Sequence, residues 1–351
     1  MLSNFIESGG IVIPPFFNYN SDMTDIKEFE NQIAIVIPSY EPDERFVKLL
    51  KDIREEYNGH IIVVNDGSDS SYTHYFDEAS ALNCEVITHH VNMGKGRGLK
   101  NAFNYILNTY PDMIGCVTAD SDGQHLPKDI YRIMKELYDY RDCLIMGCRD
   151  FDADNVPNKS RVGNKVTRNI CRFFCGVNTS DTQTGLRGIS REFMKRLLTV
   201  DGDRFEFETR MLIESKDNFP IREVSIETVY DSKENHQSHY NPIKDSIRIG
   251  KIFAVVFAMF LVSSLSSTMV DLIIFHMLVP VIEPLTALYY VAICTVIARV
   301  FSAIYNYMIN YMWVFKSKAD HRKSAVRYFI LAVIQMTLSA IFTTILVIYT
   351  E

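Results

Sequence analysis

From Tyr328 to Thr350 the chain runs 23 residues without a charge. As a helix that is about 34 Å, against a hydrocarbon core of about 30 Å. Two similar runs precede it. Residues 252–270 are uncharged and the run resumes after Asp271, while residues 285–313 are interrupted only by Arg299. The backbone of such runs must satisfy its own hydrogen bonds in lipid, which a helix does. The spacing predicts an all-α transmembrane part of about three helices, at 253–281, 285–313 and 328–350. Charge divides the chain the same way. Residues 251–351 hold 7 Lys/Arg and 4 Asp/Glu, which leaves 29 basic and 39 acidic residues in 1–250. The first part reads as a soluble, acidic domain and the last hundred residues as membrane.

The link Pro280–Pro284 has no Lys or Arg, whereas the link before the third run carries Lys316, Lys318, Arg322, Lys323 and Arg327. The positive-inside rule then predicts a multi-pass protein of the cell membrane. It puts residues 1–250 in the cytoplasm and Glu351 on the far side. Residues 1–31 form a polar leader without the apolar core of a signal peptide. Seven cysteines in such a setting are expected as reduced thiols, and Cys171 with Cys175 lacks the second ligand pair of a zinc site.

Within the soluble part, short apolar runs alternate with helical stretches. Strands are predicted at Ile33–Pro38, His60–Asn65, Glu85–His89, Met113–Val117 and Cys143–Gly147. Helices are predicted up to about Glu56, from the Asn92–Gly98 turn to Asn108, and over Lys128–Tyr138. That alternation means an α/β domain with a mostly parallel sheet covered on both faces. Ligands in such folds bind beyond the carboxyl ends of the strands. Pro38-Ser39-Tyr40, Asp66-Gly67-Ser68 and Asp120-Ser121-Asp122-Gly123-Gln124 all fall there.

Asp120 and Asp122 are two apart at a strand end, so they project to the same side. Hard oxygen ligands placed so suit Mg²⁺ or Mn²⁺, with substrate phosphates completing the shell. The same letters also make an ordinary polar turn. Gly94-Lys95-Gly96-Arg97-Gly98 matches neither phosphate-loop spacing, and its glycines serve either close packing or phosphate approach. Arg149, Arg161 and Arg187 are read as turn residues suited to forked binding of phosphate oxygens. A helix is predicted over Gly163–Cys175 with Lys165, Arg168 and Arg172 on one face, either solvated or lying on a membrane surface. Residues 241–252, which carry Ile243 and Ile247 together with Lys244, Arg248 and Lys251, read as an interfacial amphipathic helix. Asp271 and Arg299, the two charges within the spans, read either as functional groups or, more plainly, as a pair that orients two helices or as side chains snorkelling near an interface.

Several motifs occur together and in order: Pro38-Ser39-Tyr40, Val64-Asn65-Asp66-Gly67-Ser68, Asn92-x-Gly94-Lys95-Gly96, Asp120-Ser121-Asp122-Gly123-Gln124-His125, Gly147-Cys148-Arg149, Asp181–Arg187 and Phe205-Glu206-Phe207-Glu208. With them the chain resembles the family 2 glycosyltransferases, in the branch of dolichol-phosphate mannose synthases and polyprenyl-phosphate glucosyltransferases. Asp271 and the run Asn306-Tyr307…Asn310…Trp313-Val-Phe315 resemble a GtrA-like membrane domain. The resemblance implies a GT-A fold over 32–240 and a GtrA-like domain over 253–351. It implies inverting transfer of one sugar from GDP-mannose or a UDP-hexose to a dolichyl or undecaprenyl phosphate. In the family, the positions matching Pro38, Tyr40, Val64 and Asp66 hold the nucleoside, and Glu41 and Ser121 lie beside them. Those matching Asp120, Asp122 and Gln124 hold the metal and diphosphate, and those matching Arg149 and Arg161 meet the acceptor phosphate. Two departures concern the donor: Pro42 stands where the family has a glutamate, with Glu41 shifted by one, and the basic pair of the last loop becomes Lys233 and His239.

Elementary chemistry agrees with that assignment. A phosphate acceptor has a second pKa of about 6, so it needs positioning and charge compensation more than a strong base. The Gln-x-x-Arg-Trp of processive relatives is absent, because the single tryptophan is Trp313. The expected partners are a nucleotide sugar, a polyprenyl phosphate and the membrane, with self-association through the spans and no nucleic acid. Two other readings stay open: transfer to a polysaccharide hydroxyl, and a lipid-flipping protein with a vestigial transferase domain.

Overall fold

The structure is a computed structural model. It describes residues 27, 29–151, 158–216, 218–227, 242–286, 289–314, 325–326, 328–330 and 333–334. The chain forms two units, Met1–Gly250 and Lys251–Glu351. The first unit contains, in chain order, β1 (Ile33–Ser39), α1 (Glu44–Arg54), β2 (Ile61–Asn65), α2 (Thr73–Ala81), β3 (Glu85–Thr88), α3 (Lys95–Thr109), β4 (Gly115–Thr118), α4 (Pro127–Asp139), β5 (Leu144–Arg149), α5 (Asn158–Ile170), β6 (Arg187–Ser190), α6 (Arg191–Leu197), α7 (Glu206–Ser215) and β7 (Ile221–Ile226).

The strands make one seven-stranded sheet in the order β3-β2-β1-β4-β6-β5-β7. β1 lies inside the sheet between β2 and β4, and all its residues are buried. Alternate side chains point to opposite faces, so a buried central strand must be apolar throughout. Ile33, Ile35 and Ile37 enter a core with Phe46, Leu50 and Ile53 of α1 and Ile130, Met134 and Leu137 of α4. Ala34 and Val36 are equally buried but stand outside that core. Register runs Pro38↔Val64 and Ser39↔Asn65 across β1 and β2, and Val36↔Thr118 across β1 and β4. The chain therefore leaves the sheet at one edge at the ends of all three strands.

Local chemistry sets the helices. Asp43 caps α1 by accepting the Arg45 N–H at 3.0 Å, a contact that contributes about 1 kcal/mol. Pro127 opens α4, where its missing N–H costs nothing. Tyr57 is fully buried and donates to the Ile33 carbonyl at 2.6 Å; burial pushes its phenol pKa well up. All five strands expected from the sequence are present with ends shifted by a few residues.

β6 and β7 are not among the strands expected from the sequence. β6 runs antiparallel between β4 and β5, pairing Thr118↔Arg187 and Ile145↔Gly188. This corrects the placement of Arg187. It lies not in a turn but at the start of an interior strand, 1% exposed. Its guanidinium donates to the main-chain carbonyls of Thr184 (2.9 Å) and Glu208 (2.8 Å). The helix expected over Gly163–Cys175 begins earlier, at Asn158, and Cys171–Cys175 form a π turn. Lys165 and Arg172 are exposed on it. Lys233 and His239, and the interval 228–241, lie outside the described residues.

The second unit continues α8, one unbroken helix over Pro242–Ile282, and adds α9 (Tyr290–Ile309) with a π turn over Asn310–Val314. No break separates the segment expected to lie at the interface from the first span. Ala254–Ile282 and Ile293–Val314 are long and apolar enough to cross a membrane. The third span expected at 328–350 lies mostly outside the described residues.

A polar seam joins the two helices. Ser263 donates to Asn306 Oδ1 (3.2 Å), Ser267 to the Ser302 carbonyl (2.9 Å) and Ser302 to Asp271 Oδ1 (3.1 Å). Arg299 Nε lies 3.6 Å from Asp271 Oδ2, so the expected pair forms. Ser263, Ser267 and Asp271 recur every four residues, as do Ser302, Asn306 and Asn310, which puts each set on one helix face.

Candidate active site

At the end of β2, Asp66 is buried and turned inward. Its carboxylate accepts the main-chain N–H groups of Met93 (2.8 Å) and Gly94 (2.7 Å) and meets His89 Nδ1 at 2.8 Å. It ties the loop after β2 to the loop before α3. Gly67 makes that approach feasible, because a Cβ there would fall 2.2 Å from the Val91 carbonyl carbon. The Glu41 N–H donates to Ser68 Oγ at 2.9 Å, joining the loops after β1 and β2. Glu41 itself has φ 48°, a left-handed conformation uncommon for a residue with a side chain. The bond from Tyr40 to Glu41, and after it burial, holds the Tyr40 phenol pKa above its ordinary value. Pro38, Tyr40, Glu41, Val64 and Asp66 thus stand on adjoining strand ends, with the Asp66 carboxylate engaged by protein.

The glycine segment also resolves. A Cβ on Gly94 would fall 2.4 Å from the Asp203 carbonyl oxygen, and one on Gly96 would fall 2.5 Å from Phe207 Cβ. Both glycines let the start of α3 press against the Asp203–Phe207 segment. Close packing accounts for them.

Past β4, Asp120 is bracketed from three directions. Lys95 Nζ sits 2.7 Å from Oδ1, His125 Nε2 lies 3.4 Å from Oδ2, and Gly185 leaves no room for a side chain. Thr118 Oγ1 donates to the Gly185 carbonyl at 2.7 Å and fixes that approach. Lys95 also meets Glu208 Oε1 at 2.9 Å. Burial alone would lower the Lys95 pKa, but Asp120 and Glu208 outweigh it and raise it. Burial would raise the Asp120 pKa, but Lys95 and His125 bring it well below the carboxylate range. Asp122 goes the other way: burial, then the Asp120 charge, push its pKa up. Its Oδ1 accepts the Gln124 N–H at 3.1 Å, across a turn whose Gly123 has φ 76°. Asp120, Ser121, Asp122 and Gln124 therefore form one tight turn with its two carboxylates in different charge environments.

Arg149, at the end of β5, makes a forked pair with Asp181, Nε–Oδ2 at 2.7 Å and Nη2–Oδ1 at 3.1 Å, and its guanidinium lies over the Phe151 ring. Arg161 donates from Nε to the Phe151 carbonyl at 2.9 Å. Both expected acceptor-side arginines thus converge on Phe151. Asn164 of α5 donates to the Ser180 carbonyl at 2.7 Å, docking the helix on the segment that carries Asp181. The sequence reading assigns no role to Lys95, His125, Asp181, Gly185 or Glu208, although all five lie inside the ordered motifs. Their signal was a charge or a glycine at a fixed place in a motif, without the partner that explains it.

The carboxylate pair fits a divalent ion in kind. Burial, and after it the Asp120 charge, disfavour the ionised form of Asp122, and an added cation would favour it. Among the described residues no cluster of three or more His, Cys, Asp or Glu is placed to hold a metal. Diphosphate oxygens and water would have to supply the remaining ligands.

Residues 34–198 match the family described as Glycosyl transferase family 2, and residues 259–351 match the GtrA/DPMS transmembrane domain. The chain is 28% identical over 221 residues to UDP-N-acetylglucosamine–dolichyl-phosphate N-acetylglucosaminyltransferase of Methanococcus voltae, covering 56% of this chain and 86% of that one. It is 25% identical over 216 residues to glycosyltransferase AglJ of Haloferax volcanii, covering 61% and 68%. Its fold is similar to that of glucosyl-3-phosphoglycerate synthase of Mycobacterium tuberculosis, crystallised with Mn²⁺, UDP and phosphoglyceric acid. That match has a TM-score of 0.51 and 15% identity, covering 69% of this chain and 84% of the other.

Proposed function

From the premise that this chain is a glycosyltransferase with a family 2 catalytic domain and a GtrA/DPMS membrane domain, we propose that it transfers one sugar, with inversion, from a nucleotide sugar to a polyprenyl phosphate at the cytoplasmic membrane face. The observation that carries this reading is the turn at Asp120 and Asp122, set beside the joined loops of β1 and β2 and facing Lys95. The UDP and dolichyl phosphate named for the Methanococcus relative support a UDP-linked donor and a polyprenyl acceptor.

Pro38 and Val64 pair in register and shape the nucleoside end, with Tyr40 beside them. Asp120 and Asp122, with Gln124, would hold Mg²⁺ or Mn²⁺ against the donor diphosphate. Such an ion, when bound, neutralises the charge developing on the leaving nucleoside diphosphate. Arg149 and Arg161 orient the acceptor phosphate, which attacks the anomeric carbon as the bond to the diphosphate breaks. That phosphate is already largely ionised at neutral pH, so its attack needs no general base. Asp181 keeps the Arg149 fork in one orientation, so little rotamer freedom is lost when phosphate arrives.

Thermal stabilisation of the full chain in detergent tests the donor half. UDP with Mn²⁺ at a hundred times its dissociation constant should add about 2.7 kcal/mol. Asp122→Asn should lose that increment while retaining its ligand-free melting temperature. An equal increment in Asp122→Asn contradicts the assignment.

A further inference from the structure

Lys95 is the first residue of α3, where the helix dipole disfavours a cation. Local helix physics therefore gives no reason for it. The reason is tertiary: its ammonium bridges Asp120 Oδ1 at 2.7 Å and Glu208 Oε1 at 2.9 Å, in a site where all three side chains are largely withdrawn from solvent. The glycines around it let the α7 segment approach closely enough to deliver Glu208. Phe205, whose ring centroid lies 6.0 Å from Nζ, closes one side. Other charged or titratable neighbours among the described residues include Asp122, which feels both Asp120 and Lys95, His125, on the other oxygen of Asp120, and Arg187, which donates to the Glu208 main chain.

We propose that Lys95 is a resident counter-cation for the metal subsite, exchanging with the divalent ion at Asp120 and retained by Glu208 when the ion arrives. This rests on the reading of Asp120 and Asp122 as the metal subsite. Before loading, two half-buried carboxylates two residues apart repel each other, and the ammonium keeps one of them neutralised. A divalent ion at Asp120 would stand next to that ammonium. Glu208 supplies a second place for the charge, so Lys95 need not leave the site. The lysine therefore opposes the bare metal. Diphosphate, by adding negative charge, tips the balance, so that metal and donor load together.

Mn²⁺ binding to the full chain in detergent, followed by the electron paramagnetic resonance of the free ion, reads this directly. Without nucleotide, Lys95→Met should bind Mn²⁺ roughly tenfold more tightly than the wild type, because one opposing charge is gone. Glu208→Gln should bind it several-fold more weakly, because Lys95 is left with Asp120 alone. Lys95→Gln, which keeps a hydrogen-bonding head, should behave as Lys95→Met and guards against a folding defect. A purely structural bridge would weaken Mn²⁺ binding alike in all three variants. That result, or no change in any of them, overturns the proposal. Failure of the wild type to bind Mn²⁺ even with UDP overturns the metal subsite itself, and this inference with it.

Discussion

A Cβ placed on Gly185 would lie 2.3 Å from Asp120 Oδ2. The hydrogen bond from Thr118 to the Gly185 carbonyl holds that strand entry in place, so the carboxylate rather than the backbone must move. Gly185→Ala should fold and insert normally yet lose transfer activity by about 10²-fold, since a misplacement near 1 Å costs that much. Steady-state transfer rates at saturating donor and Mn²⁺, beside an unchanged melting curve, check it.

The Arg149–Asp181 fork should separate donor from acceptor effects. Asp181 is fully buried, so Asp181→Asn removes the buried negative charge that balances the Arg149 guanidinium and should destabilise the fold, by no more than the roughly 3–5 kcal/mol of a broken buried ion pair. Arg149→Lys keeps the charge and loses the fork. It should raise KM for the lipid phosphate more than KM for the donor. Equal changes in both constants would remove Arg149 from the acceptor side.

Acid sensitivity should come in part from Glu85. Burial alone would raise its pKa, but bonds from Tyr110, His60 and Tyr105 outweigh it and lower it. A carboxyl lowered in the folded state stabilises the protein above its unfolded pKa of about 4.3, and that contribution is lost as pH falls. Melting temperature against pH should therefore decline less steeply below about pH 5 in Glu85→Gln than in the wild type. Parallel curves would assign the acid loss elsewhere.

The seam between α8 and α9 makes a graded prediction. Asp271→Asn keeps an acceptor for Ser302 Oγ and should cost little, whereas Asp271→Leu removes it along with the Arg299 pair. Interhelical contacts of this kind contribute about 0.6–2 kcal/mol, so detergent unfolding should rank wild type, Asp271→Asn, Asp271→Leu.

Much of this could be read from the chain. β1, β2 and β4 announce themselves because a buried parallel strand is an uninterrupted apolar run, ended here by Asp, Gly and Ser. β6 could not be read that way. Arg187-Gly-Ile-Ser190 has no apolar run, and it becomes a strand only because β4 and β5, distant in sequence, offer their edges. The same limit hid the ion pairs. Lys95 meets partners 25 and 113 residues away, and Asp66, whose position in its motif looks ligand-facing, is turned inward by two main-chain donors from a later loop. Motif order revealed the chemistry, while tertiary geometry decided which charges face the ligand and which hold the frame.

Sugar transfer to a membrane lipid phosphate can be read from how label partitions between water and organic solvent. The full chain in detergent is incubated with radiolabelled nucleotide sugars and Mn²⁺, with and without undecaprenyl or dolichyl phosphate. Label should enter the organic phase only when the lipid phosphate is present, and Asp122→Asn should abolish that transfer. Turnover that leaves all label in water-soluble polymer, or lipid labelling that survives Asp122→Asn, would contradict it.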